Sequence, residues 1–126
     1  MKRKQYSTVR DEEHVISRAN GRQSVEQIVL DSPAAKVLAG TVLGKRTAGG
    51  KYTPLDLGAG DGSQVPAAVL APTVYPTDPV ADVRTGADVR GAEMNGHKLV
   101  WPAGISAAQK AAAEATLADA GVIVRY

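Results

Sequence analysis

The chain has 126 residues, a formal net charge of +2, 44% hydrophobic and 4% aromatic residues, and neither phenylalanine nor cysteine. That length holds one domain with a modest core, and the missing cysteines exclude disulfides, thiolate catalysis and cysteine metal sites together. No apolar run is long enough to span a bilayer, and the basic start MKRKQYSTVRDEEH lacks the hydrophobic segment of a signal peptide, so a soluble, unexported protein is expected.

Residues 1–24 are polar and charged, without helical or strand periodicity over most of their length, and read as an extended N-terminal arm, flexible in isolation, ahead of a body at 25–126. Basic residues collect here, in Lys2, Arg3, Lys4, Arg10, Arg18 and Arg22. Asp11, Glu12 and Glu13 interrupt them, Tyr6 alone interleaves an aromatic, and no zinc or helix-turn-helix spacing follows. A solvated or protein-binding arm therefore fits better than a nucleic-acid site. Tyr6, Ser7, Thr8 and Val9 favour extended structure and, with Arg10, form the candidate contact strand of this arm.

Val25 to Leu30 reads as the first strand of the body, with a turn at Asp31, Ser32 and Pro33. Residues 37–43, 51–54, 65–71, 80–90 and 99–101 follow as short candidate strands separated by glycines and prolines, which is β-rich spacing. The apolar residues are mostly Ala, Val and Leu, each burying little area, so the composition favours assembly with a partner surface.

Between the third and fourth candidate strands lies LDLGAGDGS, residues 55–63, whose acidic-x-Gly-x-Gly-x-Gly spacing matches loops that hold S-adenosylmethionine in methyltransferases. Such a loop must leave a buried strand and enter a helix whose first amides face the ligand. Pro54 interrupts the segment before it and Pro66 would break a helix after it, so the glycines read as turn residues.

The clearest helix signal is Ser106 as N-cap, Gln109 completing a capping box, an alanine-rich run with Ala113, Leu117 and Ala120 on its inner face, and Gly121 as C-terminal stop. Val122, Ile123 and Val124 form a final short strand, closing a strand, helix, strand unit that begins at residues 99–101. Trp101, followed by Pro102, is the only tryptophan and anchors either the core or a subunit seam. His14 and His97 are isolated from other ligands and read as solvated side chains, so no metal is assigned. The fold class is α+β: a compact β-rich single domain of short strands with one well-capped C-terminal helix and an extended N-terminal arm.

Taken in order, AGTVLGK (39–45), GGKYTPLD (49–56), DGS (61–63), AAVL (67–70), LVWPAGIS (99–106) and the alanine-rich helix ending in GVIVR (121–125) resemble the head decoration proteins of lambda-like tailed phages. The resemblance covers most of the chain and is less distinct in the arm and over residues 72–98. It implies a structural virion protein without catalysis or cofactor, made in the host bacterial cytoplasm. It further implies binding as a homotrimer to three-fold positions on the outer surface of the expanded capsid, stabilising it against internal DNA pressure. Its partners would be the major capsid protein, reached by the arm, in which Tyr6, Ser7, Thr8, Val9 and Arg10 are the candidate contacts, and its own copies; Trp101, Pro102 and Leu117 are candidates for packing in the core or in the trimer. No specific nucleic acid and no membrane are implied. The alternatives are a methyltransferase fragment resting on residues 55–63 and a β-rich adhesion or binding module, which lacks the exposed aromatic platform such sites often use.

Overall fold

Small aliphatic side chains can fill only a narrow interior, and the chain meets that constraint with a closed barrel of five short strands. The computed structural model describes residues 12–19 and 21–126. Its elements are β1 (Val15–Arg18), α1 (Gly21–Ser24), β2 (Val25–Leu30), β3 (Val42–Lys45), β4 (Tyr52–Pro54), β5 (Pro66–Leu70), β6 (Val83–Asp88), β7 (Ala92–Asn95), a 3₁₀ turn at Gly96–Lys98, α2 (Ala107–Asp119) and β8 (Val122–Arg125). The barrel runs β2-β4-β3-β5-β6 and closes on itself, while β1, β7 and β8 form a separate three-stranded sheet with β7 at its centre.

Most of the barrel is antiparallel, with β2 and β6 in register from Val25↔Asp88 to Leu30↔Val83. The closing seam is a single parallel pair, Leu30↔Tyr52. Ile28, Leu30, Leu43, Leu70, Ala68 and Ala87 fill the interior, together with Val37 and Val74, which pair with each other as an isolated bridge. Because successive side chains in a strand point to opposite faces, β3 and β5 serve two cores at once. Leu43, Ala68 and Leu70 face the barrel interior, and Val42 and Val69 face a second core with Leu55, Ala92, Met94, Leu99, Leu117 and Val122.

That second core is covered by α2. Parallel neighbours need a crossover connection, and α2 supplies the one between β7 and β8, which pair in parallel from Ala92↔Val122 to Asn95↔Arg125. Its start is fixed by the Ser106 hydroxyl accepting from the Gln109 amide at 3.1 Å and the Gln109 side chain accepting from the Ser106 amide at 3.0 Å. Its end is set by Gly121 at φ +91°, a conformation a side chain would strain.

The α+β domain is thus the one expected, with three differences. Val15–Arg18 and Gly21–Ser24 belong to the folded body, not to a flexible arm ending at residue 24: β1 pairs antiparallel with β7, and His14 is fully buried. Residues 99–101 are no strand, although Val100 makes an isolated parallel bridge to Thr41; the strand before the helix is β7. Finally, Ala120 is exposed at the helix C-cap, so the inner face of α2 is Ala113 and Leu117. The expected arm strand at Tyr6, Ser7, Thr8, Val9 and Arg10 lies outside the described residues.

Candidate functional site

The glycine-rich loop has the spacing of a ligand-holding turn, but most of its amides are already engaged within the protein. Asp56 accepts from the Gly58 amide through Oδ1 at 3.1 Å and from the Ala59 amide through its carbonyl at 3.1 Å. Gly62 donates to Gln64 Oε1 at 2.8 Å, Ser63 donates its amide to Asp61 Oδ1 at 3.0 Å, and the Asp56 amide donates to the Ser63 carbonyl at 3.1 Å. Hydrogen bonds from Ser63 and the nearby Arg46 hold the Asp61 carboxyl below the usual carboxylate range.

The loop joins β4 to β5, and both of these strands pair antiparallel with the β3 between them. A nucleotide-type loop instead leaves a parallel strand and opens a helix. Gly62, at φ +103°, lies so close to β3 and the turn after it that an added Cβ would stand 2.7 Å from the Lys45 carbonyl oxygen. The glycines of residues 55–63 shape a packed turn.

Concave surface is shallow elsewhere. A groove of about 390 Å³ runs beside the seam, between residues 30–37 and β4, lined by Pro33, Ala34, Ala35 and Pro54 among others. A smaller hollow of about 210 Å³ lies between α2 and the start of β5, lined by Leu57, Val65, Ala112 and Thr116 among others. Neither gathers titratable groups around one point, and among the described residues no three His, Asp or Glu side chains converge as metal ligands. No helix among them is long and apolar enough to cross a membrane.

Several contacts converge where the chain enters the body. The Glu12 amide donates to the Ala71 carbonyl at 3.3 Å, and the Asn95 amide donates to the His14 carbonyl at 2.7 Å. His14, expected to be solvated, has zero exposure and packs against Gly40, where an added Cβ would stand 2.8 Å from the Lys98 carbonyl oxygen. Glu13 pairs with Lys98 Nζ at 3.3 Å. Arg18 holds the buried Asp88 with two parallel bonds, Nε to Oδ1 at 2.7 Å and Nη2 to Oδ2 at 3.0 Å, and reaches Glu12 at 3.1 Å. Bonding to Asp88 raises the Arg18 pKa above its ordinary value, so the guanidinium stays charged despite partial burial.

Beside this entry point lies an aromatic cluster. The His97 ring meets Tyr126 edge-on with centroids 5.1 Å apart. Lys110 Nζ sits 5.5 Å from the Trp101 ring centroid and 5.2 Å from that of Tyr126, within range of a cation–π attraction. The Tyr126 hydroxyl donates to Glu114. Trp101 is half-buried against the second core, with its Nε1 enclosed and without an acceptor among the described residues. Pro102 is half-buried next to it, and Leu117 is wholly inside that core.

Sequence reasoning singled out Trp101 but missed the burial of His14, the Arg18–Asp88 pair and the grouping of His97, Lys110 and Tyr126. The β-branched pair Val15-Ile16 after His14 was the available strand signal, masked by the surrounding charges.

The barrel interior is filled, and the glycine loop is bonded largely to itself. The family of Bacteriophage lambda head decoration protein D matches residues 4–122, and the chain belongs to that family of phage head decoration proteins. It is a structural virion family associated with the capsid and not an enzyme class. A search of curated proteins finds no match.

Proposed function

We propose that this protein attaches as a homotrimer to three-fold positions on the outer surface of the expanded phage capsid and holds the shell against the pressure of packaged DNA, without chemistry of its own. The family match over residues 4–122 carries this reading. The segment ahead of Glu12 serves as the arm, with Tyr6, Ser7, Thr8, Val9 and Arg10 adding a strand to a sheet of the major capsid protein. Strand addition draws affinity from backbone hydrogen bonds and specificity from alternate side chains. In a trimer, one docked arm raises the effective concentration of the other two, so weak single contacts sum to durable attachment. A ligand that binds the expanded lattice better than its precursor stabilises the expanded state by that difference in affinity.

Removal of residues 1–11 tests this, because His14 and β1 remain in place. The truncated protein should keep its circular dichroism and melting profile yet fail to cosediment with expanded shells. Undiminished cosedimentation overturns the arm mechanism.

A further inference from the structure

The arm and the body are joined by very little chain. Asp11 alone separates Arg10 from Glu12, a reach of at most about 7 Å for extended backbone. Glu12 is no free tether, since its amide is bonded to Ala71 and its carboxylate to Arg18. An arm strand lying on the shell therefore draws the surface around Glu12 and Glu13 down with it.

What stands at that surface can be followed contact by contact. Glu13 pairs with Lys98 at 3.3 Å. Lys98 follows His97 in the 3₁₀ turn, where the His97 amide donates to the side chain of the Asn95 cap at 3.0 Å. His97 abuts Tyr126, and Tyr126 shares Lys110 with Trp101. Tyr126 is 61% exposed, yet its ring is held in place: a Cβ on Gly96 would stand 2.4 Å from it. Exposed tyrosine rings are enriched among interface hot spots, and a ring already packed in place loses little freedom on binding.

We infer that His97, Tyr126 and Lys110, with Lys98, form a second and rigid docking point for the same shell protein that takes the arm. The matching surface presents an apolar face to the two rings and carboxylate or carbonyl acceptors to the two ammonium groups. The arm gives reach and the cluster fixes the angle at which the body stands on the lattice. This rests on the capsid-binding reading above.

The test uses the full chain with its arm intact. Tyr126→Ala and His97→Ala, made singly and together, should weaken binding to expanded shells about tenfold or more for the pair, measured by cosedimentation over a concentration series, while the melting temperature stays within a few degrees of the parent. Tyr126→Phe, which keeps the ring, should bind like the parent. Unchanged affinity of the double variant overturns the cluster as a docking point, whatever arm removal does. If arm removal leaves binding intact but the double variant abolishes it, the arm reading fails and the cluster stands.

Discussion

Gly44 occupies the middle of β3, where a methyl group would stand 2.2 Å from the Ser63 carbonyl oxygen and 2.6 Å from its carbon. Those are backbone atoms of the glycine-rich loop and cannot swing aside. Gly44→Ala should lower unfolding free energy by about 3 kcal/mol, read from urea denaturation. Gly60, inside the same loop motif, has nothing within 4 Å of its missing Cβ, so Gly60→Ala should change stability by less than about 0.5 kcal/mol. Equal losses at the two positions would refute the packing argument. The sequence presented these glycines as one pattern, because spacing shows where a chain can turn and not which neighbour it turns against. His14 was illegible for the same reason: it packs against Gly40, which is distant in sequence.

Elements differed in legibility according to how local their causes are. The helix α2 could be read to the residue at its start, because Ser106 and Gln109 satisfy each other within one turn. β2 was read over the bounds it has, Val25–Leu30, from an imperfect alternation, whereas β7, with sequence AEMN, carries no β-branched residue and is a strand only because β1 and β8 flank it. The seam end of the barrel is held by polar contacts as well as by its single strand pair. Asp82 accepts from the Ser32 amide at 2.9 Å and hydroxyl at 2.8 Å, and from Lys51 Nζ at 2.8 Å. The bonds from Lys51 and then Ser32 lower the Asp82 carboxyl from 3.8 to about 2. A carboxyl depressed in the folded state stabilises it above the unfolded value, and that contribution is lost as pH falls through the folded one. Asp82→Asn should therefore be less stable than the parent at neutral pH, with a shallower loss of stability between pH 3.8 and about 2. Chemical denaturation across that range checks it; parallel pH profiles would show that Asp82 is not held as described.

At the scale of the molecule, the three-stranded sheet and the barrel share the second core, and among the described residues the Arg18–Asp88 ion pair links β1 to β6 beside it. Asp88 has zero exposure, so loss of its partner strands a charge where water cannot reach. Arg18→Ala should cost about 3 kcal/mol or more, seen as a fall in the urea midpoint. Arg18→Met with Asp88→Leu, which removes both charges, should recover much of the loss. No recovery would mean that shape rather than charge holds the junction. The α+β class was legible from short β spacing and one capped helix, but the division into barrel and sheet was not. It rests on pairings such as Ser17↔Glu93, which join distant stretches of sequence. The absence of phenylalanine, read first as a sign of a thin core, fits a five-stranded interior too narrow for large rings.

β3 and β5 line both hydrophobic interiors, and this leaves the protein without a dispensable half. A fragment that kept the barrel would expose Val42 and Val69 to water, and one that kept the sheet and α2 would lack the wall against which Leu117 closes. Proteolytic trimming or domain exchange can therefore act on the loops, while the folded remainder is gained or lost as a unit.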